Sequence, residues 1–401
     1  MRAPRPLRIV HVYNWLDPAN GGPPRVIAGL ARAQQALGHT VSFVSSDALD
    51  HAALATFLAG YFDTPPPRTR IQPRFFRSVL TRPALTRALR GADVAHLHGI
   101  WPVATLLASQ VCRALRVPYV LAPHGSLHPG ALLEKWPRKV LGMLALGYGP
   151  MVRKAAALHV LNADEGAGAV VKPRRIAVIP NGIFADQFAT PPAPGAFRET
   201  LPALGEAPYI LFLSRLHPGK GLALLAEAFA AVAAARPDVH LVAAGGDQGG
   251  RALLEAGAAR HGYGDRLHLV GELSGPRKDA AFTDAAVFVL PSHHEGFSMA
   301  ITEALAWGRP VVISAPCHFP DVAEVDAGRI VPLDAAALAA GLLDVVADPA
   351  AADAMGARGR AMVLARYRWE AIAERTIALY RAILAADPHD EKTDDRCAEV
   401  S

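Results

Sequence analysis

The chain has 401 residues, of which 51% are hydrophobic and 19% are charged, with a formal net charge of +5. The composition excludes an intrinsically disordered protein. The length leaves room for two domains with separate cores. The three cysteines lack the spacing of a disulfide framework or a zinc site, which predicts a reducing compartment. Neither a signal peptide nor an apolar run long enough to span a bilayer is evident, so the sequence predicts a cytoplasmic protein.

Strands alternate with helices in the first half of the chain. The buried strand LRIVHVY leads through the turn LDPANGGPPR into a helix that ends at Gly38, and HTVSFVSS follows as the next strand. GADVAHLHG, VPYVLAPHG and RIAVIPNG predict further strands, with the helix ATLLASQVCRAL between the first two. These elements predict a first domain over residues 1–188, followed by a Pro-rich linker over 189–208.

The same alternation restarts after the linker. The pattern predicts a second domain over 209–368, a helix over 369–386 and a disordered acidic tail over 387–401. Within the second domain, AVFVLPS and GRPVVIS are strands on either side of a helix over 298–307. Two such blocks predict an α/β protein with two doubly wound, Rossmann-like domains, whose ligand-binding edges face a shared cleft.

Two glutamates stand eight positions apart around that helix. Glu295 lies in the strand-to-helix loop and Glu303 in the helix body. Eight helical residues rise about 12 Å, whereas the paired carboxylates of glycoside hydrolases stand about 5 to 9.5 Å apart. The two glutamates therefore suit the two ends of a longer ligand, such as a sugar and the ribose of its nucleotide. The alternative is that Glu295 complements a helix N-terminus and Glu303 is an exposed helix residue.

Two other strand-to-helix loops carry groups that suit phosphates. SRLHPGKG places Arg215 and Lys220 before a helix N-terminus, which are ingredients for binding a diphosphate. In NGGPPR, Gly21 and Gly22 allow close approach of the backbone to a ligand. The alternatives are solvated charges in the first loop and a tight turn without a ligand in the second.

Four histidines follow two of the predicted strands. His96 and His98 alternate along one strand and so share a face, and His124 and His128 follow the next strand. Cysteine and acidic partners for a closed zinc site are missing, so we favour strand-end histidines that hydrogen-bond a polar ligand. Because the chain also lacks an acidic DxD cluster, the cations must neutralise the phosphates.

Residues 65–90 hold seven arginines and no acidic residue, interleaved with apolar side chains. Such a stretch suits an anionic membrane surface or an acidic acceptor, and the alternative is a solvated helix face. We find no recognisable nucleic-acid-binding motif and predict no nucleic-acid partner.

Taken in order, the motifs GGPPR, HLHG, PHGSL, IPNG, SRLHPGKG, VAAGG and EGFSMAITEALAWGRPVV resemble the family 4 retaining glycosyltransferases, over residues 7–385. The resemblance implies the GT-B fold, with the helix over 369–386 crossing back to the N-terminal domain. It implies transfer of a hexose-type sugar from a nucleotide diphosphate sugar, with retention and without a metal ion or other cofactor. The acceptor would be a glycan or a lipid-linked glycan, in exopolysaccharide or lipopolysaccharide biosynthesis.

The resemblance also implies roles for individual residues. Arg215 and Lys220 correspond to the pair that binds the diphosphate, Glu303 to the glutamate on the donor ribose and Glu295 to the glutamate beside the donor sugar. His124 corresponds to the histidine near the C6 hydroxyl of the sugar. The remaining predicted substrate-binding residues are Gly21, Gly22, His98, Gly296, Phe297 and Ser298.

The implied mechanism is a substitution on one face of the sugar, in which the leaving diphosphate accepts the proton of the acceptor. Arg215 and Lys220 would stabilise the charge that develops on that diphosphate. Two other functions stay open at this point: a nucleotide-sugar epimerase of the same architecture and a non-catalytic scaffold subunit. We expect a cytoplasmic enzyme, with attachment to the inner face of the cell membrane through 65–90 as an open question.

Overall fold

The computed structural model forms two compact units. The first comprises Met1–Gly182 with Trp369–Ser401, and the second is Ile183–Arg368. The predictions for Gly21, His128, the middle of the basic stretch and the acidic tail lie outside the described residues. The structure describes residues 5–18, 22–48, 50–72, 81–127, 146–167, 171 and 173–386.

The first unit is built on a sheet whose described strands are all parallel, in the order β3-β2-β1-β4-β5-β6-β7. Its strands are β1 Arg8–Val12, β2 Thr40–Ser45, β3 Arg68–Arg70, β4 Val94–His98, β5 Tyr119–Ala122, β6 Ala157–Val160 and β7 Ile176–Val178. The helices between them are α1 Gly22–Ala36, α2 Ala52–Ala59, α3 Thr81–Leu89, α4 Val103–Leu115, α5 Tyr148–Arg153 and α6 Ala163–Ala167.

The second unit repeats this architecture with a parallel sheet in the order β10-β9-β8-β11-β12-β13. Its strands are β8 Tyr209–Leu213, β9 His240–Ala244, β10 Leu267–Gly271, β11 Val287–Leu290, β12 Val311–Ser314 and β13 Gly328–Val331. Its helices are α7 Ala196–Glu199, α8 Leu222–Ala235, α9 Arg251–His261, α10 Gly275–Thr283, α11 Met299–Ala306, α12 Asp321–Glu324, α13 Ala335–Ala347 and α14 Pro349–Arg366.

Each sheet reverses its strand order at one point, between β1 and β4 in the first unit and between β8 and β11 in the second. The strands at these points are buried almost throughout because helices cover both faces of a parallel sheet, and β1 and β4 place three polar side chains, all histidines, in that interior. Open α/β sheets bind ligands at such reversals, beyond the carboxyl ends of the strands. The predicted fold class, two Rossmann-like α/β domains, is confirmed.

The last helix of the described residues, α15 Trp369–Ala385, follows the second unit in sequence but belongs to the first, where it packs against α1. The indole of Trp369 lies against two glycines. A Cβ built on Gly29 would come 2.6 Å from this ring, and one built on Gly182 would come 2.7 Å from it. Any larger residue at either position would displace the start of α15 from the first unit.

The Pro-rich passage 189–208, for which the sequence predicts a linker, is part of the second unit. Phe197 and Leu204 are buried in its core. The backbone N–H groups of Gly195 and Phe197 donate to the carboxylate of Asp284, each at 2.8 Å. One aromatic and one aliphatic side chain, Phe197 and Leu204, thus anchor this Pro- and Gly-containing segment to the second unit. Its composition alone suggested a linker, and that prediction is wrong.

In the basic stretch, α3 presents its two sides to different surroundings. Leu85 and Leu89 are buried in the core of the first unit, while Arg82, Arg87 and Arg90 are exposed. The buried leucines of α3 are therefore not free to enter a membrane, whereas its arginines face outward.

Among the described residues, no single helix combines the length and the apolar composition needed to cross a bilayer. The pair α13 and α14 meets both criteria only when the two helices are counted together, and they are bent by 102°. Leu338, Leu342 and Val363 from this pair are buried in the core of the second unit.

Candidate active site

In the second unit, the loops that follow β8 and β11 meet at the reversal of strand order. The backbone N–H of His293 donates to the carbonyl of Gly219 at 3.0 Å, and the hydroxyl of Ser292 donates to the same carbonyl at 3.3 Å. Gly221 has φ +74°, and a Cβ there would lie 1.9 Å from the carbonyl oxygen of Pro291. Only glycine fits this left-handed, close contact, so position 221 holds the two loops at a fixed separation.

An ion pair joins these loops. Nζ of Lys220 lies 2.6 Å from Oε1 of Glu295, and their side chains are only 15% and 10% exposed. The backbone N–H of Glu295 donates to the carbonyl of Pro316 at 3.0 Å, which holds the loop against the end of β12. Because both charges are largely withdrawn from water, their attraction exceeds that of a surface pair. The site thus sets a cation and an anion side by side.

A second ion pair lies further along α11. Nζ of Lys278, in the first turns of α10, lies 2.8 Å from Oε1 of Glu303, and the side chains are 19% and 21% exposed. Glu295 and Glu303 are therefore each held by a different lysine.

The residues whose amides are predicted to contact the donor, Gly296, Phe297 and Ser298, lie directly before α11. Ser298 caps the helix, and its hydroxyl accepts from the N–H of Ile301 at 3.4 Å. Gly296 and Phe297 precede the cap and are half-buried. A helix N-terminus suits hydroxyl or phosphate oxygens.

Arg215 follows β8 and is exposed, and its guanidinium donates to Oε1 of Gln248 at 3.1 Å. Behind it, Gly245 has φ +146° and a Cβ there would lie 1.8 Å from the carbonyl of Ser214. The VAAGG motif therefore allows the loop that carries Arg215 to lie directly on the end of β9.

In the first unit, His124 lies in the turn after β5 and has a strained backbone conformation, with φ +52°. The following residue, Gly125, donates its backbone N–H to the carboxylate of Glu165, which also accepts from the N–H of Leu161 at 3.2 Å. Glu165 is fully buried, and this burial raises its pKa. The carboxylate thus acts as a buried anchor for the turn that presents His124.

His98, which was predicted to bind substrate, lies in the interior of the first unit. It is buried, with Nε2 2.9 Å from His11 and Nδ1 2.9 Å from Nε2 of His124. Both ring nitrogens are occupied by other histidines, so His98 lies behind His124 and positions it. Gly22 begins α1, and a Cβ built on it would meet no atom within 4 Å.

Three histidines of the first unit, His11, His96 and His98, have ring nitrogens within 4.8 Å of one another. His96 and His98 share a face of β4, as their alternation predicts, with stacked rings 4.3 Å apart. However, each of the six ring nitrogens already lies within hydrogen-bond distance of a protein group. A metal ion here would have to replace those hydrogen bonds.

The sequence interpretation missed Lys278 and Glu165, which hold Glu303 and the His124 turn. Lys278 lies in a helix N-terminal segment that the pattern left unassigned, and Glu165 follows β6, a four-residue strand that was not predicted. Acidic residues shortly after an apolar run, as Asp164 and Glu165 in ALHVLNADEG, are the signal that would have drawn attention to this turn.

Comparison with known proteins identifies the family. The model described as glycosyl transferase 4-like domain matches residues 21–182, and the model described as glycosyl transferases group 1 matches residues 196–362. The chain belongs to the group 1 glycosyltransferases of the family 4 type. The predicted family and the GT-B fold are thus confirmed, and the protein is a glycosyltransferase.

Relatives of this glycosyltransferase cover nearly its whole length. The GDP-mannose:cellobiosyl-diphosphopolyprenol alpha-mannosyltransferase of Xanthomonas campestris is 28% identical over 387 residues, 94% of this chain and 97% of the relative. The phosphatidyl-myo-inositol mannosyltransferase of Mycobacterium tuberculosis is 29% identical over 400 residues, with the same coverage of 94% and 97%. The solved structure of sucrose-phosphate synthase from Thermosynechococcus elongatus is similar, with a TM-score of 0.70, 25% identity and coverage of 95% and 100%.

Proposed function

We propose that this glycosyltransferase transfers a hexose from a nucleotide diphosphate sugar to a lipid-linked glycan, with retention of configuration and without a metal ion. The observation that carries the proposal is the Lys220–Glu295 pair, 2.6 Å apart at the reversal of strand order in the second unit. A cation beside an anion suits a donor whose diphosphate leaves as positive charge grows on its sugar.

In this proposal, Lys220 and Arg215 stabilise the departing diphosphate, which takes the proton of the acceptor hydroxyl. Glu295 holds the sugar and stabilises its positive charge, so a side-chain nucleophile is not required. Glu303 accepts from the ribose hydroxyls at the other end of the donor, oriented by Lys278 at 2.8 Å. The amides before α11 would contact sugar hydroxyls or the phosphate.

The acceptor is proposed from the two mannosyltransferases, whose names specify a diphosphopolyprenol-linked glycan and a phosphatidylinositol. A lipid-linked acceptor places the reaction at a membrane surface, where the exposed arginines Arg82, Arg87 and Arg90 would meet anionic headgroups. We propose a role in exopolysaccharide or lipopolysaccharide assembly at the inner face of the membrane. GDP-mannose is the first donor to test, since it stands in the name of one relative.

The test of donor binding is thermal unfolding with GDP-, UDP- and ADP-sugars. A matched donor at 100 times its Kd adds about 2.7 kcal/mol of stability. Glu303→Ala should reduce that shift, whereas Glu255→Ala, which breaks an exposed ion pair with Arg251 on α9, should leave it intact. Absence of a shift with every donor would contradict the site assignment.

The test of the reaction is turnover of the stabilising donor with a polyprenol-diphosphate glycan, in chelator and in added magnesium. The expected product keeps the anomeric configuration of the donor, and the rate is equal in both media. Epimerised sugar without an acceptor would favour the epimerase, and donor binding without turnover would favour a scaffold subunit. Failure to bind anionic liposomes at low salt would contradict membrane attachment.

A further inference from the structure

A continuous chain of hydrogen-bonded groups runs through the core of the first unit and ends at His124. It joins strands from the middle of the sheet to α1 and α15, and all of its members lie in the first unit. We call this chain the histidine relay. In order, its members are the carbonyl of Ile179 and the side chains of His159, His96, Tyr380, Gln34, His11, His98 and His124.

The imidazoles of the relay are neutral at physiological pH because burial disfavours their charged form. Burial lowers the pKa of His11 and His159 to about 4 and that of His124 to about 3. Burial and the neighbouring histidines lower the pKa of His96 and His98 well below the usual value. A neutral imidazole has one N–H donor and one acceptor nitrogen. If one nitrogen of a ring donates, the other must accept, so the donor-to-acceptor direction of one hydrogen bond fixes that of the next.

The carbonyl of Ile179 sets that direction, since a carbonyl can only accept. His159 must donate to it from Nε2, at 2.8 Å, and its Nδ1 must then accept from Nε2 of His96, at 3.2 Å. His96 is thereby left with Nδ1 as its acceptor, and the hydroxyl of Tyr380 donates to this nitrogen at 2.7 Å.

The side-chain amide of Gln34 fixes the direction of the remaining hydrogen bonds, because one of its ends donates and the other accepts. Its Nε2 donates to the oxygen of Tyr380 at 3.2 Å, so its Oε1 accepts from Nε2 of His11 at 2.8 Å. Nδ1 of His11 then accepts from Nε2 of His98, and Nδ1 of His98 accepts from Nε2 of His124, each at 2.9 Å. Rotating the Gln34 amide would reverse every bond and leave an acceptor nitrogen of His159 facing the carbonyl of Ile179.

We propose that the relay holds His124 as the Nε2–H tautomer, so that its Nδ1 is a hydrogen-bond acceptor reserved for a hydroxyl of the substrate. Nδ1 of His124 has no hydrogen-bond partner among the residues that the structure describes, and the residue is partly exposed. Tyr380 and Gln34 are then positioning residues that act through His98. The tautomer follows from the hydrogen bonds between neutral rings and is independent of the donor; the sugar hydroxyl as partner rests on the proposed function.

The experiment is long-range ¹H–¹⁵N NMR of histidine-labelled full-length protein, which distinguishes protonated from unprotonated ring nitrogens. His124→Gln assigns the His124 signals by their loss. In the wild-type protein we expect His124 with a proton on Nε2 and none on Nδ1. Either of two results on the wild-type protein would overturn the proposal: a proton on Nδ1 of His124, or a stoichiometric metal ion bound to the histidines.

Tyr380→Phe tests the link through α15. Without the hydroxyl, the Gln34 amide has no reason to keep one orientation, so the second tautomer should appear at His11, His98 and His124. The control is Tyr119→Phe, in which an equally buried hydroxyl that donates to the carbonyl of Met151 at 2.6 Å is removed away from the relay. A single unchanged His124 tautomer in Tyr380→Phe would overturn the role of Tyr380.

Addition of a donor sugar that stabilises the protein separates this inference from the proposed function. The Nδ1 signal of His124 should then shift as it accepts a hydroxyl. Donor binding with an unmoved Nδ1 signal would overturn the reserved acceptor, whereas the absence of any donor binding would contradict only the proposed function.

Discussion

Lys220 and Glu295 lie 75 positions apart in the chain but form an ion pair of 2.6 Å where the loops after β8 and β11 meet. Each residue had a predicted role with a different part of the donor, the diphosphate for Lys220 and the sugar for Glu295. In the proposed reaction, both ends of the breaking bond would therefore be served by one coupled pair. A substitution at either residue therefore changes the charge felt by the other.

Glu295→Gln should lower kcat by about 10²-fold while the Kd of the donor changes only a few-fold, because the amide keeps the shape but removes the charge. Steady-state kinetics with a saturating acceptor, together with donor titration, separates the two effects. Glu255→Gln on α9 is the control for an exposed glutamate. Full activity of Glu295→Gln would rule out an electrostatic role.

Lys278→Met should weaken donor binding by about three- to tenfold, since Glu303 loses the cation that orients its carboxylate, a contact worth about 1 kcal/mol. The neighbouring Arg277 is exposed and contacts Thr200 rather than Glu303. Arg277→Met is thus a matched control that removes one positive charge from the same turn. Equal donor affinity in both variants, measured by calorimetry, would contradict the positioning role of Lys278.

Gly221→Ala should destabilise the second unit by clearly more than Gly262→Ala. The two glycines have nearly equal φ, +74° and +71°, but only at Gly221 would a Cβ meet a backbone atom, the Pro291 oxygen at 1.9 Å. Left-handed strain alone costs about 1 to 2 kcal/mol, and overpacking adds about 1 to 3 kcal/mol. Urea unfolding measures the free energy of unfolding of both variants. Equal losses of stability would mean that the loops after β8 and β11 can move apart without cost.

Acid should destabilise the first unit. In the folded protein the pKa is about 4 for His11 and His159 and about 3 for His124, whereas an unfolded histidine has a pKa of about 6.5. Below pH 6.5 the unfolded chain binds protons that the native state refuses, so each such histidine removes about 1.4 kcal/mol of stability per pH unit down to about pH 4. Above pH 6.5 these groups contribute no pH dependence.

Hydrogen exchange, corrected for the pH dependence of chemical exchange, checks this prediction. Peptides covering β4 should lose protection between pH 7 and pH 5, while peptides covering β11 serve as the internal reference. Parallel loss in both units would contradict a specific effect of the buried histidines.

The alternation of the chain predicted most strands of both sheets, because strands buried on both faces read as continuous apolar runs. Strand β3, with the sequence RTR, has no apolar residue, and β6 is four residues long, so neither has such a pattern. Helix α14 was also missed, since Gly356 and Gly359 lower its helix propensity. A Cβ at Gly356 would lie 1.9 Å from the carbonyl oxygen of Gly308. Packing therefore requires glycine at this position, although glycine is unfavourable inside a helix.

Site residues were predicted individually but not in their contacts. The helix expected over 298–307 is α11 with its caps at Ser298 and Trp307, which places Glu295 in the loop and Glu303 in the helix. Contacts across the sequence, such as Lys278 with Glu303 or His98 with His11, depend on which loops the topology brings together. Local patterns contain no information about that, and the single-sequence interpretation therefore assigned His98 to substrate rather than to His124.

The return of α15 to the first unit also sets the order in which the newly made chain can be completed. Trp369 covers Gly29 and Gly182, and Tyr380 bonds His96 and Gln34, yet the ribosome reaches these two aromatic residues only after the whole second unit. Domains usually fold from the N-terminus as they emerge. Here the unit that is synthesised first is the last to close, and until then buried polar groups near β4 stay open to solvent and to chaperones.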